Sequence, residues 1–304
     1  MRRTGRGGGA RMSRKLRSLA RLVRLPAALT VLGDSLTGAA AAGRLDRPGT
    51  WALPAASVCL YWAGMALNDH ADRDLDAVER PERPIPSGEV TPGEALAVAT
   101  GLTAAGVGIA ALAGGRRSAL VATALATTVW TYDLVLKPTP LAPLGMAVNR
   151  GLDVLLGAGD RTGAAALPAA AMAVHTYGVT TLSRGEVHGT RSEVAAGALS
   201  CTLAGATLAA YPARTAPATV RGSLGELAAG AFAGSFATTV GTAQARALAE
   251  PSADHARAAT GTGIRGMIPL QAALLSRYGA VGTACALAAG APVTARAARA
   301  VSVT

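Results

Sequence analysis

Charge is what this 304-residue chain lacks most: Asp, Glu, Lys and Arg make up 15% of it, against about a quarter in an ordinary soluble protein. With 50% hydrophobic residues and a positive mean hydropathy, that shortage excludes a soluble enzyme and points to helices packed in lipid. Aromatic residues are equally scarce, at 3%. The basic N-terminal stretch holds none on which bases could stack, so the net charge of +11 predicts no nucleic-acid partner. Cysteine is limited to Cys59, Cys201 and Cys285, scattered inside apolar runs, which excludes a disulfide framework or a thiolate metal site. Acids are missing altogether from the first 24 residues, which hold nine Lys and Arg. Residues 1–24 read as a disordered basic leader that keeps the N-terminus in the cytoplasm and touches anionic lipid. A cleaved signal is not expected, because the apolar run that follows is as long as a full span.

What is present is Ala, Leu, Val and Gly in long runs. Crossing the hydrocarbon takes about 20 apolar residues, and nine runs qualify: 25–43, 51–69, 94–114, 118–136, 140–159, 164–183, 194–211, 223–245 and 264–290. The expected fold is all-α, a polytopic membrane protein of about nine transmembrane helices in one domain, residues 25–304. Small residues suit such a bundle, since lipid supplies no hydrophobic drive for helix association and close backbone approach must replace it. With the N-terminus inside, the inside segments carry 18 Lys and Arg and the outside segments nine, as the positive-inside rule requires. Loops 70–93, 184–193 and 246–265, together with Lys137, then share the cytoplasmic side of the inner (plasma) membrane.

The stretch "LNDHADRDLDAVERPERPIPSG", residues 67–88, breaks the pattern with four aspartates in eight residues. At about 100° per residue, Asn68, Asp72 and Asp76 fall within roughly 80° of arc, Asp69 lies beside Asp76, and Asp74 points away. Like charges on one helical stripe repel, so a cation is expected among them, and an oxygen-only donor set suits Mg²⁺ or Ca²⁺. An ordinary acidic loop paired with Arg73, Arg80 and Arg83 would also answer the charge. An EF-hand fails, because Ala77 and Arg83 stand where Gly and Glu are needed. Mg²⁺ bound by one or two carboxylates together with substrate phosphates fits the spacing best. Deeper in the chain, "AVNRGLDVLLG" places Asn149, Arg150 and Asp153 inside a span. Ionisable groups at that depth are functional candidates: Asn149 and Asp153, on one face, read as a substrate pocket, and an Arg150–Asp153 pair is the structural alternative.

N-D-x-x-D-x-x-x-D at the end of a second transmembrane helix, followed by R-P-x-x-x-G, resembles the UbiA superfamily of intramembrane prenyltransferases; here the residues are Asn68, Asp69, Asp72 and Asp76, then Arg83, Pro84 and Gly88. The resemblance implies a nine-helix fold, Mg²⁺ as cofactor, an isoprenyl diphosphate as donor, and a lipophilic or aromatic acceptor that attacks the allylic cation. It further implies that Asn68, Asp69, Asp72 and Asp76 hold the metal and that Arg83 and Lys137 bind diphosphate oxygens. Tyr132 and Lys137 correspond to a Tyr–Lys pair usually four residues apart and here one residue wider. Arg24 stands where the family has an Arg at the entrance to its first helix, and reads equally as one more leader cation. The second acidic motif departs from the family's D-x-x-x-D. Glu186 takes the place of the first Asp and Thr190 that of the second. Glu193 supplies another carboxylate on the same helical face if the helix continues through Gly189. The expected enzyme is a Mg²⁺-dependent membrane prenyltransferase with Asp72, Asp76, Lys137 and Glu186 as its catalytic residues. A carrier of the same fold that binds an isoprenoid or other lipophilic metabolite without transferring it is the alternative.

Overall fold

Runs built from Ala, Leu and Val have no alternation of polar and apolar residues, so helix is the only way to satisfy their backbone groups in lipid. The computed structural model describes residues 15–24, 28, 30–211 and 224–290, and among these no strand occurs. Its helices are α1 (15–22), α2 (Leu32–Ala41), α3 (Leu53–Ala71), α4 (Arg73–Glu79), α5 (Pro92–Thr131), α6 (Ala142–Ala158), α7 (Ala166–Ser183), α8 (Ser192–Ala210), α9 (Leu224–Ala249), α10 (Ala253–Arg277) and α11 (Val281–Gly290). Among the described residues, three helical stretches, Pro48–Ala71, Pro92–Leu136 and Ser192–Ala210, are long and apolar enough by themselves to cross a membrane.

The second of those stretches is two helices. Thr91 opens α5 with a capping box to Glu94, and Pro92 occupies the first turn, where its missing N–H is not needed. Gly115 then adopts φ 79°, a left-handed conformation open to glycine at no steric cost, and the chain turns back. Both ends of the segment return to the same end of the bundle, since Lys15 pairs with Glu94 at 2.7 Å and Lys137 pairs with Asp72. The break expected between residues 114 and 118 lies at this corner.

Two boundaries differ from the sequence reading. The run 264–290 is divided, α10 ending at Arg277 and α11 starting at Val281. Most of the expected loop 246–265 is helix as well, because the Ser252 side chain caps the N–H of His255 and starts α10 at Ala253. Hydropathy reads the polar first turns of a helix as loop, whereas the cap sets where the helix begins. The third difference concerns the leader. Residues 15–22 form α1, and Leu22 is fully buried in a cluster with Leu67, Ile85, Val90 and Ala99. The rest of the expected leader, residues 1–14, lies outside the described residues.

Glycine sets the closest helix contact. A Cβ on Gly38 of α2 would overlap the Val154 carbonyl oxygen, and one on Gly157 of α6 would overlap the Ser35 carbonyl oxygen. Each helix thus presents a glycine to the other's backbone, the small-residue packing that lipid favours. Because the obstacle on each side is backbone, Gly157→Ala is expected to force α2 and α6 apart at a cost of about 1–3 kcal/mol. Thermal unfolding of the detergent-solubilised protein measures it, and an unchanged midpoint would contradict the contact.

Candidate active site

The motif keeps its helical stripe across a break. α3 ends at Ala71 and α4 starts at Arg73, yet the bonds Asp72 N–H to Asn68 carbonyl (2.9 Å), Asp76 to Asp72 (2.8 Å) and Arg80 to Asp76 (2.9 Å) run through it without interruption. Asp69 and Asp76 are consequently buried, Asp72 is partly so, and Asp74 is 89% exposed and points out.

Each inward carboxylate meets at least one cationic side chain. Asp69 accepts from Arg24 at 2.9 Å and from Arg83 at 3.3 Å. Asp76 accepts from Arg83 at 2.5 Å, with Arg80 at 3.9 Å. Asp72 pairs with Lys137. Arg83 therefore bridges two motif aspartates, which turns the R-P turn after the motif back onto it. Arg24 is held by α1, which is itself fastened to loop 80–91: Arg21 lies 3.1 Å from the Glu89 carboxylate and donates to the Glu82 carbonyl at 2.7 Å.

The wide Tyr132–Lys137 spacing is absorbed by a π turn over Tyr132–Leu136, in which the Lys137 N–H donates to the Tyr132 carbonyl at 2.9 Å. A five-residue repeat returns the chain to the same face just as four residues do in an α-helix, so the extra residue leaves the Tyr–Lys pair in register.

Beneath this cluster lies a cavity of about 340 Å³. Of the residues singled out in the sequence, Arg24, Asn68, Tyr132, Asn149, Arg150 and Asp153 line it; Asp69, Asp72, Asp76, Arg83, Lys137, Glu186 and Glu193 do not. Arg24 and Asn68 connect the two regions, being in the cavity wall and in or beside the charged cluster. Asn68 donates to Asp133 at 3.1 Å, a cavity residue that sequence reasoning passed over although "YDLVLK" places an acid in a span. Deeper, Ser57 donates to Asp153 at 2.6 Å. Beside that pair, Asp34 accepts from Arg150 at 2.5 Å and from Gln271 at 2.7 Å. Ser57 and Gln271 were not foreseen either, because a lone Ser or Gln in an apolar run carries no signal until its partner is known.

The second acidic motif is rearranged. α7 ends at Ser183 and Gly189 has φ 87°, so the helix does not continue and Glu193 shares no helical face with Glu186. Glu193 stands exposed in the first turn of α8. Glu186 occupies the turn after α7, where its carbonyl accepts from Arg257 at 2.8 Å and its carboxylate has no partner among the described residues. Arg184 donates to the Thr139 carbonyl at 2.9 Å, which ties this turn to the Lys137 side of the cluster.

Among the described residues no three His, Cys, Asp or Glu side chains converge to enclose a metal unaided. Mg²⁺ does not need them to, because it takes one or two carboxylates and completes its shell with phosphate and water. Asp72 and Asn68, oxygen donors one turn apart with Lys137 and Arg83 nearby, fit that demand.

A model of the UbiA prenyltransferase family matches residues 29–198, more than half of the chain. The chain belongs to the UbiA prenyltransferase family. The UbiA chain is 39% identical over 111 residues to the digeranylgeranylglyceryl phosphate synthase of Methanopyrus kandleri, an alignment covering 36% of this chain and 39% of that relative. Well under half of the relative's length is therefore spanned. Two solved structures share the fold over most of the chain. A structure of a digeranylgeranylglyceryl phosphate synthase matches with a TM-score of 0.65 at 17% identity, covering 88% of this chain and 99% of the other. The apo structure of a UbiA homologue from Aeropyrum pernix K1 matches with a TM-score of 0.63 at 20% identity, covering 81% and 96%.

Proposed function

We propose that this UbiA-family protein transfers an isoprenyl group from an allylic diphosphate to a lipophilic acceptor within the membrane, with Mg²⁺ as cofactor and its active site at the cytoplasmic face. The observation that carries the reading is the cluster of Asp69, Asp72 and Asp76 with Arg24, Arg83 and Lys137, set over a largely apolar cavity. A diphosphate needs cations and a prenyl chain needs an apolar sleeve, and here the two adjoin.

Asp72 and Asn68 would hold Mg²⁺, with Asp76 and Asp69 behind them and Glu186 at a second position. Bound there, Mg²⁺ would neutralise charge on the departing diphosphate. Arg83, fixed from two sides by Asp69 and Asp76, and Lys137 aim donors at the diphosphate oxygens before the bond breaks, so they stabilise the developing charge without reorganising. Asp69 likewise fixes Arg24 at the cavity rim. The Leu, Val and Met residues of the cavity wall keep water from the allylic cation. The relatives' name describes a product with two geranylgeranyl groups on a glyceryl phosphate. On that likeness, geranylgeranyl diphosphate and a glyceryl lipid with a free hydroxyl are the first substrates to test.

Purified protein supplied with both and with Mg²⁺ is expected to release diphosphate and form the ether, and chelation with EDTA to stop both. Diphosphate release that persists at full rate in EDTA would overturn the metal assignment. A second reading, a carrier that binds without transfer, draws on the rearranged second motif, in which Thr190 and the exposed Glu193 leave Glu186 alone. Saturable isoprenyl diphosphate binding with no release of diphosphate would favour it.

A further inference from the structure

The Ser57–Asp153 hydrogen bond fixes the register of α3 against α6. The two helices are antiparallel, α3 running toward the aspartate cluster and α6 starting beside it and running away. One turn from that pair toward the cluster, about 6 Å along the axis, α3 presents Tyr61 and α6 presents Asn149. Both line the cavity, and they stand at the same level, roughly 10 Å below Asn68.

Neither side chain has spent its hydrogen-bonding capacity. The Asn149 Oδ1 is buried with no partner, and the Tyr61 hydroxyl has none among the described residues. Of the neighbouring charges, Arg150 is ion-paired with Asp34 at 2.5 Å and donates to the Met267 sulfur at 2.7 Å, while Asp153, one turn deeper, accepts from Ser57. An orphaned buried acceptor is destabilising and persists where a ligand or water supplies the missing donor. Asn149 Oδ1 can only accept, so the ligand must bring a donor. Tyr61 and Asn149 carry no charge of their own, so a neutral ligand group matches them. A hydroxyl meets both demands with one atom, giving its proton to Asn149 and accepting from Tyr61.

We propose that Asn149 and Tyr61 form the acceptor subsite and recognise a free hydroxyl on the acceptor lipid. This rests on the prenyl-transfer reading for the word acceptor, while its chemistry is testable by binding alone. The probes are hexadecylglyceryl phosphate and its methyl ether, in which the free secondary hydroxyl is capped. Each is titrated into the full-length protein in detergent, with Mg²⁺ and the unreactive geranylgeranyl thiodiphosphate present.

Wild type is expected to prefer the free hydroxyl by about tenfold, since a site built to hydrogen-bond a hydroxyl rejects the analogue lacking it. Asn149→Leu should reduce the preference to less than about twofold while thiodiphosphate affinity holds. Tyr61→Phe removes one oxygen atom and should lower the preference by about threefold, which serves as the test if the Asn149 variant does not fold. A wild type that binds both probes alike, or neither, overturns the proposal and leaves water as the partner of Asn149. So does a preference that survives Asn149→Leu or Tyr61→Phe. Hydroxyl-selective binding without any prenyl transfer would instead sink the reaction assignment alone, and transfer without hydroxyl selectivity would sink the subsite alone.

Discussion

Asp72→Ala is expected to lower prenyl transfer by at least about 10²–10³-fold and to remove Mg²⁺-dependent diphosphate binding, since losing one group aimed at developing charge costs that much in comparable sites. Among the described residues, Asp72 is the motif carboxylate paired with a lysine alone, whereas Asp69 and Asp76 are held by arginines. It is also the least buried of the three, so the substitution leaves no cavity in the core. Lys137, 30% exposed, loses its partner but can be solvated. The protein should fold, and the loss should be one of chemistry. Asp74→Ala is the matched control. Asp74 belongs to the same acidic run but is 89% exposed, and its loss is expected to change activity by less than about twofold, as is usual for surface substitutions. Isotope-labelled geranylgeranyl diphosphate reads both variants, and full activity in Asp72→Ala would remove Asp72 from the site.

Arg150→Met is expected to act on stability instead. Asp34 is 0% exposed and bonded to Arg150 and Gln271, and Gln271 also reaches the Thr30 carbonyl at 2.8 Å. Removing the guanidinium strands a buried carboxylate, at a cost of about 3–5 kcal/mol, which spread over a bundle of this size lowers the unfolding midpoint by roughly 10 °C. Replacing both partners is far less costly than replacing one, so Asp34→Asn combined with Arg150→Met should recover more than half of the loss. A double variant no more stable than Arg150→Met would show that the pair is not what holds α2 to α6. The pair lies beside the Gly38 and Gly157 contact, so close backbone approach and ion pairing act on the same interface.

The family-typical half of the site was legible in the sequence because its information is local. Helical periodicity alone separates Asn68, Asp72 and Asp76 from Asp74, and the bonds through the α3–α4 break preserve that order. Local reasoning failed wherever a residue's environment depended on a distant segment. Glu193 needed a helix through Gly189, and the left-handed conformation there ends it. The leader looked like a topology signal, yet residues 15–24 fasten the loop bearing Arg83 and bring Arg24 to Asp69.

The sequence by itself determined the class of molecule: low charge and long apolar runs require helices in lipid, and the motif stripe requires a cation at the end of one of them. Only the tertiary structure decided the partners. Lys137 meets Asp72 across 65 positions and Ser57 meets Asp153 across 96, contacts that come from helix register and have no trace in local spacing. The physical reason is that periodicity states which face of a helix a residue occupies, while packing states what that face touches. The aspartates announce a charged site, and the bundle makes it a charged mouth above a cavity with an unpaired amide in its wall.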